Sequence, residues 1–185
     1  MSNQSINHNN TRIILFHERM KNISMDIYPT NHLLTYIKEG NLEFKQGNKV
    51  LHFGKGENVL LKKFTQATIT KTLDKKSHKF SSIVFTFHGN LMESALTQYV
   101  HTINLQETPL MENILAIKSN PLLEQFILSL QLFSGKVVMD HNLAWLKTYE
   151  ALVGVINSNE NLYNQFKNLS KKNKANLYNY MNLHF

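Results

Sequence analysis

The chain has no cysteine in its 185 residues. Disulfides, thiolate metal sites and cysteine nucleophiles are therefore excluded, and with them a disulfide-stapled secreted scaffold. No apolar run approaches the roughly 18 residues that a membrane span needs. The first residues, MSNQSINHNNTR, are polar and Asn-rich and contain no signal-peptide core. A soluble cytoplasmic protein without membrane association is expected.

Catalytic signatures are missing as well. There is no GxSxG elbow, phosphate loop or GxGxxG, and no HxH pair that would aim two histidines into one barrel cavity. His17-Glu18 in FHERM lacks the second histidine one helical turn further on that a zinc-protease helix requires. His52 and His88 lie within or at the end of strand-like runs and are expected to be partly buried structural residues. GKGE at 54–57 sits between two strand-like runs, so no helix start is available to hold an anion and a turn is expected. No metal, no cofactor and no enzymatic activity are expected.

Acidic residues are scarce: 13 Asp and Glu face 20 Lys and Arg, for a net charge of +7. Residues 1–105 carry 13 basic side chains against 7 acidic, and residues 106–185 carry 7 against 6. A basic balance favours acidic partners such as nucleic acid. These lysines, however, are scattered singly and in short pairs outside any zinc-finger, basic-zipper or RRM pattern, which fits a solvated lysine-rich surface.

What is present is enough to fold. An apolar share of 42% supports a core without staples, in one domain or a compact one plus an appendage. Up to about residue 90 the pattern alternates: Leu34 and Tyr36, Leu42 and Phe44, Val50 to Phe53, Val59 to Leu61, Ala67 to Thr72, Ser82 to Phe87. Turns at Glu39-Gly40-Asn41, Gln46-Gly47-Asn48 and Gly54-Lys55-Gly56 separate these runs. Six or seven short strands joined this tightly must be antiparallel, closing into a sandwich or barrel.

Beyond residue 90 the apolar spacing becomes three and four. Leu91, Met92, Ala95, Leu96 and Tyr99 fit a short helix, followed by a loop near Thr108-Pro109. Asn120 caps a second helix with Pro121 at its first position and Gly135 past its end. That helix carries Leu122, Leu123, Phe126, Leu130 and Phe133 on one face and Leu128 with Leu132 on the opposite one. A third helix, about 142–157, has a stripe of Trp145, Tyr149, Leu152 and Ile156, and small residues Ala144, Ala151 and Val155 elsewhere. Helices with two apolar faces need two partners: they are either deeply buried in one chain or pack on a copy of it, and the latter is favoured here. The segment NENLYNQFKNLSKKNKANLYNYMNLHF reads as two short helices joined near Ser170, and its uncapped end at Phe185 suggests a longer protein cut at a linker.

The pattern LxFxxGExxLL at Leu51 to Leu61, the strand SIVFTF at Ser82 to Phe87 and the two-faced helices resemble the N-terminal regulatory domain of AraC-family transcription regulators. The subgroup is the one that includes activators of type III secretion genes, and the resemblance covers about residues 28–185. It implies an α+β fold, an antiparallel cupin-like β-barrel or sandwich followed by an α-helical dimerisation region. In that division residues 1–11 are a disordered tail, 12–105 the barrel, 106–169 the dimerisation region and 170–185 a linker helix toward a helix-turn-helix DNA-binding domain not present in this chain. DNA would be reached only through that missing domain.

The implied function is that of a transcriptional activator's regulatory domain, a homodimer that senses a small-molecule effector or a partner protein. The alternation points Leu34, Tyr36, Leu42, Phe44, Phe53, Phe85 and Phe87 into the barrel as an effector pocket, although a barrel this small is often filled by such residues as plain core. Leu128, Leu132, Trp145, Tyr149 and Leu152 are the candidates for the dimer contact. The alternatives are a stand-alone cupin-like binding protein or enzyme, and a purely structural dimerisation module.

Overall fold

A computed structural model describes residues 3–8, 11–98, 112–130, 133, 139–158, 162–164 and 166, with only the backbone at 3–8, 11–13 and 98. Ten strands and three helices are found among them. The strands are β1 (Asn3–His8), β2 (Thr11–Arg19), β3 (Ile23–Ile27), β4 (His32–Glu39), β5 (Asn41–Gln46), β6 (Lys49–Phe53), β7 (Asn58–Leu61), β8 (Ala67–Thr72), β9 (Phe80–Phe87) and β10 (Ile114–Ile117). The helices are α1 (Gly89–Gln98), α2 (Pro121–Leu130) and α3 (His141–Ser158).

Every described strand pairing is antiparallel. The strands form two sheets, one of order β1-β2-β9-β4-β7-β10 and the other of order β3-β8-β5-β6. The antiparallel double sheet expected from the alternation is therefore found, and with it the α+β class that the resemblance implies. The loose tail expected over residues 1–11 is not: Asn3–His8 pairs along β2, with Ile6 opposite Ile14. A polar strand reads as a tail in sequence, but an edge strand meets its backbone hydrogen-bonding needs through its neighbour, whatever its side chains. β10 lies within the region expected to be helical, between the expected loop and the helix that starts at Asn120-Pro121, its four residues paired with β7.

The central strands of the larger sheet are buried on both faces. Ile14, Leu34, Leu60, Ile83, Phe85 and Phe87 point toward the helices, where they meet Leu91, Ala95, Leu123, Phe126, Ala151, Leu152 and Val155. On the other face Ile37, Val59, Leu61, Phe80 and Ile114 meet Leu42, Phe44, Phe53, Ala67 and Ile69 of the smaller sheet. Because successive strand residues point to opposite faces, β7 is buried at all four of its positions.

Helix ends follow the sequence signals. The Asn120 side-chain oxygen accepts from the Leu123 backbone N–H at 2.9 Å, while its amide nitrogen donates to the Gly154 carbonyl at 2.9 Å. One residue thus caps α2 and fastens it to α3. Asp140 caps α3 through the Leu143 N–H. The small residues Ala144, Ala151 and Gly154 form the buried side of α3, which packs against β1, β2, β9, α1 and α2. Gly135, expected to close α2, lies outside the described residues, as do the Thr108-Pro109 loop and the segment from 167 to 185.

Among the tight turns, Gly40 is the most constrained. Its φ is +81°, and a Cβ there would collide with the Thr72 carbonyl oxygen and press on Phe80. At Gly47, φ +57°, nothing lies within 4 Å. Gly47→Ala should cost about 1–2 kcal/mol, the backbone penalty alone. Gly40→Ala should cost clearly more, because the backbone at Thr72 and the Phe80 ring must also give way. Urea unfolding of the two variants checks the order, and equal losses would mean that the close approach at Gly40 relaxes freely.

Candidate functional site

One end of the space between the sheets is polar and cationic. On β2, Ile14 faces the helices, and His17 and Arg19 point to the other side, toward the smaller sheet. His17 lies directly opposite Ser82 of β9, and Arg19 opposite Phe80. From the smaller sheet, Lys71 stands on the same face of β8 as buried Ile69, and its ammonium reaches His17 Nε2 at 3.0 Å. Phe80 lines the site: its ring is edge-on to His17, centroids 6.1 Å apart, and lies 5.7 Å from the Lys71 nitrogen.

The electrostatics are one-sided. Burial first, then Lys71 and Arg19, hold the His17 imidazole down at about 4. Burial and Arg19 lower the Lys71 ammonium to about 8. Neutral His17 therefore accepts from Lys71 at Nε2, which leaves its ring proton on Nδ1. That Nδ1–H and the Ser82 hydroxyl are both buried without a hydrogen-bond partner. Residue exposure is 6% for His17 and 2% for Ser82, so water does not reach them freely. A buried unsatisfied donor is unfavourable by about 1–3 kcal/mol, and this site holds two on neutral side chains, His17 and Ser82, beside two cations.

A second buried histidine marks the junction of barrel and helices. His32 accepts from the Lys63 backbone N–H at Nδ1 over 3.3 Å, and its ring meets Phe166 edge-on with centroids 5.6 Å apart. Burial, then Lys63 and Lys62, lower it to about 4.

The seven residues expected to line one pocket do not share a cavity. Leu42, Phe44 and Phe53 face the space between the sheets. Leu34, Phe85 and Phe87, with half-buried Tyr36, lie on the opposite face under the helices. Alternation fixes which residues of a strand share a face, but not which face is inside. Of the proposed dimer residues, Leu128 is 52% exposed, Trp145 and Tyr149 are half-buried and stack at 5.7 Å, and Leu152 is wholly buried in the chain's own core. Leu132 lies outside the described residues. Leu122 and Leu146, at 59% and 57% exposure, join Leu128 as uncovered leucines of α2 and α3.

His52, expected to be partly buried, is exposed beside Glu43 at 3.4 Å. Among the described residues the buried histidines are His17, considered in the sequence only as half of a zinc motif that it does not complete, and His32, which the sequence did not single out. GKGE forms the expected turn between β6 and β7, held by the Gly54 N–H on Glu57 and by the Ile37 and Gly56 backbones. Among the described residues no three His, Asp or Glu side chains converge as a metal site, and no helix is long and apolar enough to cross a membrane.

An antiparallel double sheet with helices packed on one face of the larger sheet recurs in solved structures of ToxT from Vibrio cholerae. The K231A variant without ligand aligns with 88% of this chain and 60% of its own, at 16% identity and a TM-score of 0.59. Wild-type ToxT with an unsaturated fatty acid bound aligns with 82% of this chain and 55% of its own, at 13% identity and a TM-score of 0.53. This chain thus spans little more than half the length of ToxT. No curated protein matches by sequence. The likeness to ToxT at this level of identity is a likeness of fold. The pattern of the ExsA N-terminal regulatory domain matches residues 32–173, and the chain belongs to that family.

Both buried histidines have folded-state values below the ordinary 6.5, so the unfolded chain takes up protons that the folded one refuses. Stability is intact above that value and falls as pH drops from 6.5 toward 4. From pH 7.5 to pH 5 the expected loss is about 2 kcal/mol per histidine. Urea unfolding at the two pH values measures it, and His17→Gln with His32→Gln should remove most of the slope. A flat profile in the parent chain would contradict the neutral, buried state of the two rings.

Proposed function

We propose that this chain is the sensing and dimerising region of an AraC-type transcriptional activator, acting on an attached helix-turn-helix domain that lies outside these 185 residues. The observation that carries the reading is the family match over residues 32–173, which takes in β4 to β10 and all three helices, combined with leucines of α2 and α3 that the fold leaves uncovered. In this reading the strands up to about residue 105 form the sensing part and residues 106–169 the dimerising part. Residues 170–185 lead toward the DNA-binding unit. Two paired copies would present two such units to two half-sites, and an effector would act by favouring one arrangement of the pair.

Leu128 and Leu146 are the exposed residues best placed for association. They precede Ser129 and Lys147, whose side chains join at 3.0 Å across the α2–α3 seam. The two leucines therefore flank one helix–helix seam and can contribute to one apolar surface. Trp145 and Tyr149, stacked beside them, would form its rim. Sensing of a small effector draws support from the buried donors of the barrel, a costly arrangement that packing alone does not require. ToxT, a fold relative, has been solved with an unsaturated fatty acid bound.

Light scattering tests the dimer. The parent chain should give about twice 21.5 kDa across a range of concentrations, and Leu128→Asp with Leu146→Asp should give 21.5 kDa with an unchanged circular dichroism spectrum. A parent chain that is monomeric at every concentration, or a folded double variant that stays dimeric, would contradict the proposed interface.

A further inference from the structure

β3 is the outer strand of the smaller sheet, and among the described residues it pairs only with β8. Four of its five positions are exposed, so neither face is covered along most of its length. An open strand edge is a row of unpaired N–H and C=O groups, which proteins commonly blunt with lysine, proline or a covering element. β6, the other outer strand of this sheet, is blunted: its Lys49 bonds Glu112, two residues before β10, at 3.1 Å. β3, with the sequence ISMDI, carries neither lysine nor proline, and its one charge, Asp26, is turned to the Thr68 hydroxyl of β8 at 2.6 Å.

This edge is also apolar. Of the nine large hydrophobic side chains exposed among the described residues, five lie along it: Met20, Ile23, Met25, Tyr28 and Phe64. Ile23 and Met25 share the face on which Ile27 joins the inter-sheet core, and Met25 is opposite Ile69, so one apolar row runs from the core to the open side. On the other face Ser24 and Asp26 are satisfied by Thr70 and Thr68. Past the end of the strand the Tyr28 and Phe64 rings stand 6.0 Å apart. Phe64 holds φ +61°, a left-handed conformation that is unfavourable for a bulky residue, to present a ring that is 54% exposed.

The surroundings are cationic. Residues 20–29 and 62–72, which build the edge, contain Lys21, Lys62, Lys63 and Lys71 against Asp26 alone. Lys21 precedes the strand at one end, and Lys63 lies over the Phe64 ring at 5.4 Å at the other. We propose that the β3 edge docks an extended acidic segment of another protein, which adds a fifth strand to the smaller sheet, its apolar side chains against Ile23 and Met25 and its carboxylates near Lys21 and Lys63. A second copy is the wrong occupant, because pairing β3 with β3 brings the lysines of both copies together. A nucleic acid meets the lysines but leaves the strand's hydrogen-bonding edge and the apolar row unmatched. The docking edge goes beyond the sensing and dimerising reading and does not depend on it.

The test selects random dodecapeptides, displayed on phage, on the immobilised 185-residue chain and synthesises the most enriched one. That peptide should combine Asp or Glu with apolar residues at alternate positions. Bound in solution, it should slow amide exchange in β3 and leave α2 and α3 unchanged. Met25→Asp should weaken binding by about tenfold or more, and so should Lys21→Glu with Lys63→Glu. A further pair of peptides leaves the protein untouched: N-methyl groups are placed on one or the other set of alternate residues. Methylation of the amides that face β3 should abolish binding, and methylation of those that face away should not.

No enriched peptide, enriched peptides that are basic, binding that Met25→Asp leaves unchanged, or equal binding of the two methylated peptides overturns the site. Protection of β3 that rises with protein concentration in the absence of peptide assigns the edge to a second copy and also overturns it. A shift of the β3 resonances by single-stranded oligothymidylate, with no peptide enriched, assigns it to nucleic acid. Peptide binding by a chain that stays monomeric leaves the docking edge standing and contradicts only the dimer.

Discussion

The architecture depends on one constraint: the central strands of the six-stranded sheet must be apolar on both faces. Its central strands β4, β9 and β7 therefore carry nearly continuous apolar runs, while β5 and β8 of the smaller sheet alternate. One face is closed by α1, α2 and α3, the other by the second sheet. Side-chain parity alone decides which of two environments a residue enters. Phe85 and Val84 are neighbours in sequence and stand in different compartments.

That division separates the two proposed functions physically. The helix-covered compartment ends in the exposed leucines of α2 and α3, and the inter-sheet compartment ends in the cationic cluster. His32 sits at the seam, in β4 but on the helix side, touching the Lys63 backbone and the Phe166 ring. A change in the barrel that moved β4 or the 62–64 turn would reach the helices through this contact. Burial of a neutral ring with a lowered proton affinity is unfavourable in acid, and the fold accepts it at two places.

Much of the fold was legible from residue order. Six strand-like runs between residues 34 and 87 correspond to β4 through β9, because alternation and glycine turns are local signals. The Asn120-Pro121 start of α2 is local too. β1, β2, β3 and β10 were missed: β1 is polar, β3 and β10 are short, and β2 carries an unbroken apolar run at Ile13–Phe16 without alternation, so their pairing is decided by partner strands rather than by a local pattern. The candidate site was hidden for the same reason. His17 and Lys71 are 54 positions apart, and nothing near either residue announces the other. The pocket assignment failed on parity: Leu34 and Phe44 each alternate correctly, yet they face opposite sides of the sandwich. The small-residue face of α3 was visible but was not read as the buried one. Close helix packing prefers alanine and glycine, and Gly154 leaves no room for a methyl group beside Leu123.

Amide hydrogen exchange on the 185-residue chain, compared between high and low protein concentration, tests the division most directly. The account predicts that dilution weakens protection in α2 and α3 and leaves β3, β5, β6 and β8 unchanged. Concentration-dependent protection in the smaller sheet, with none in the helices, would contradict it.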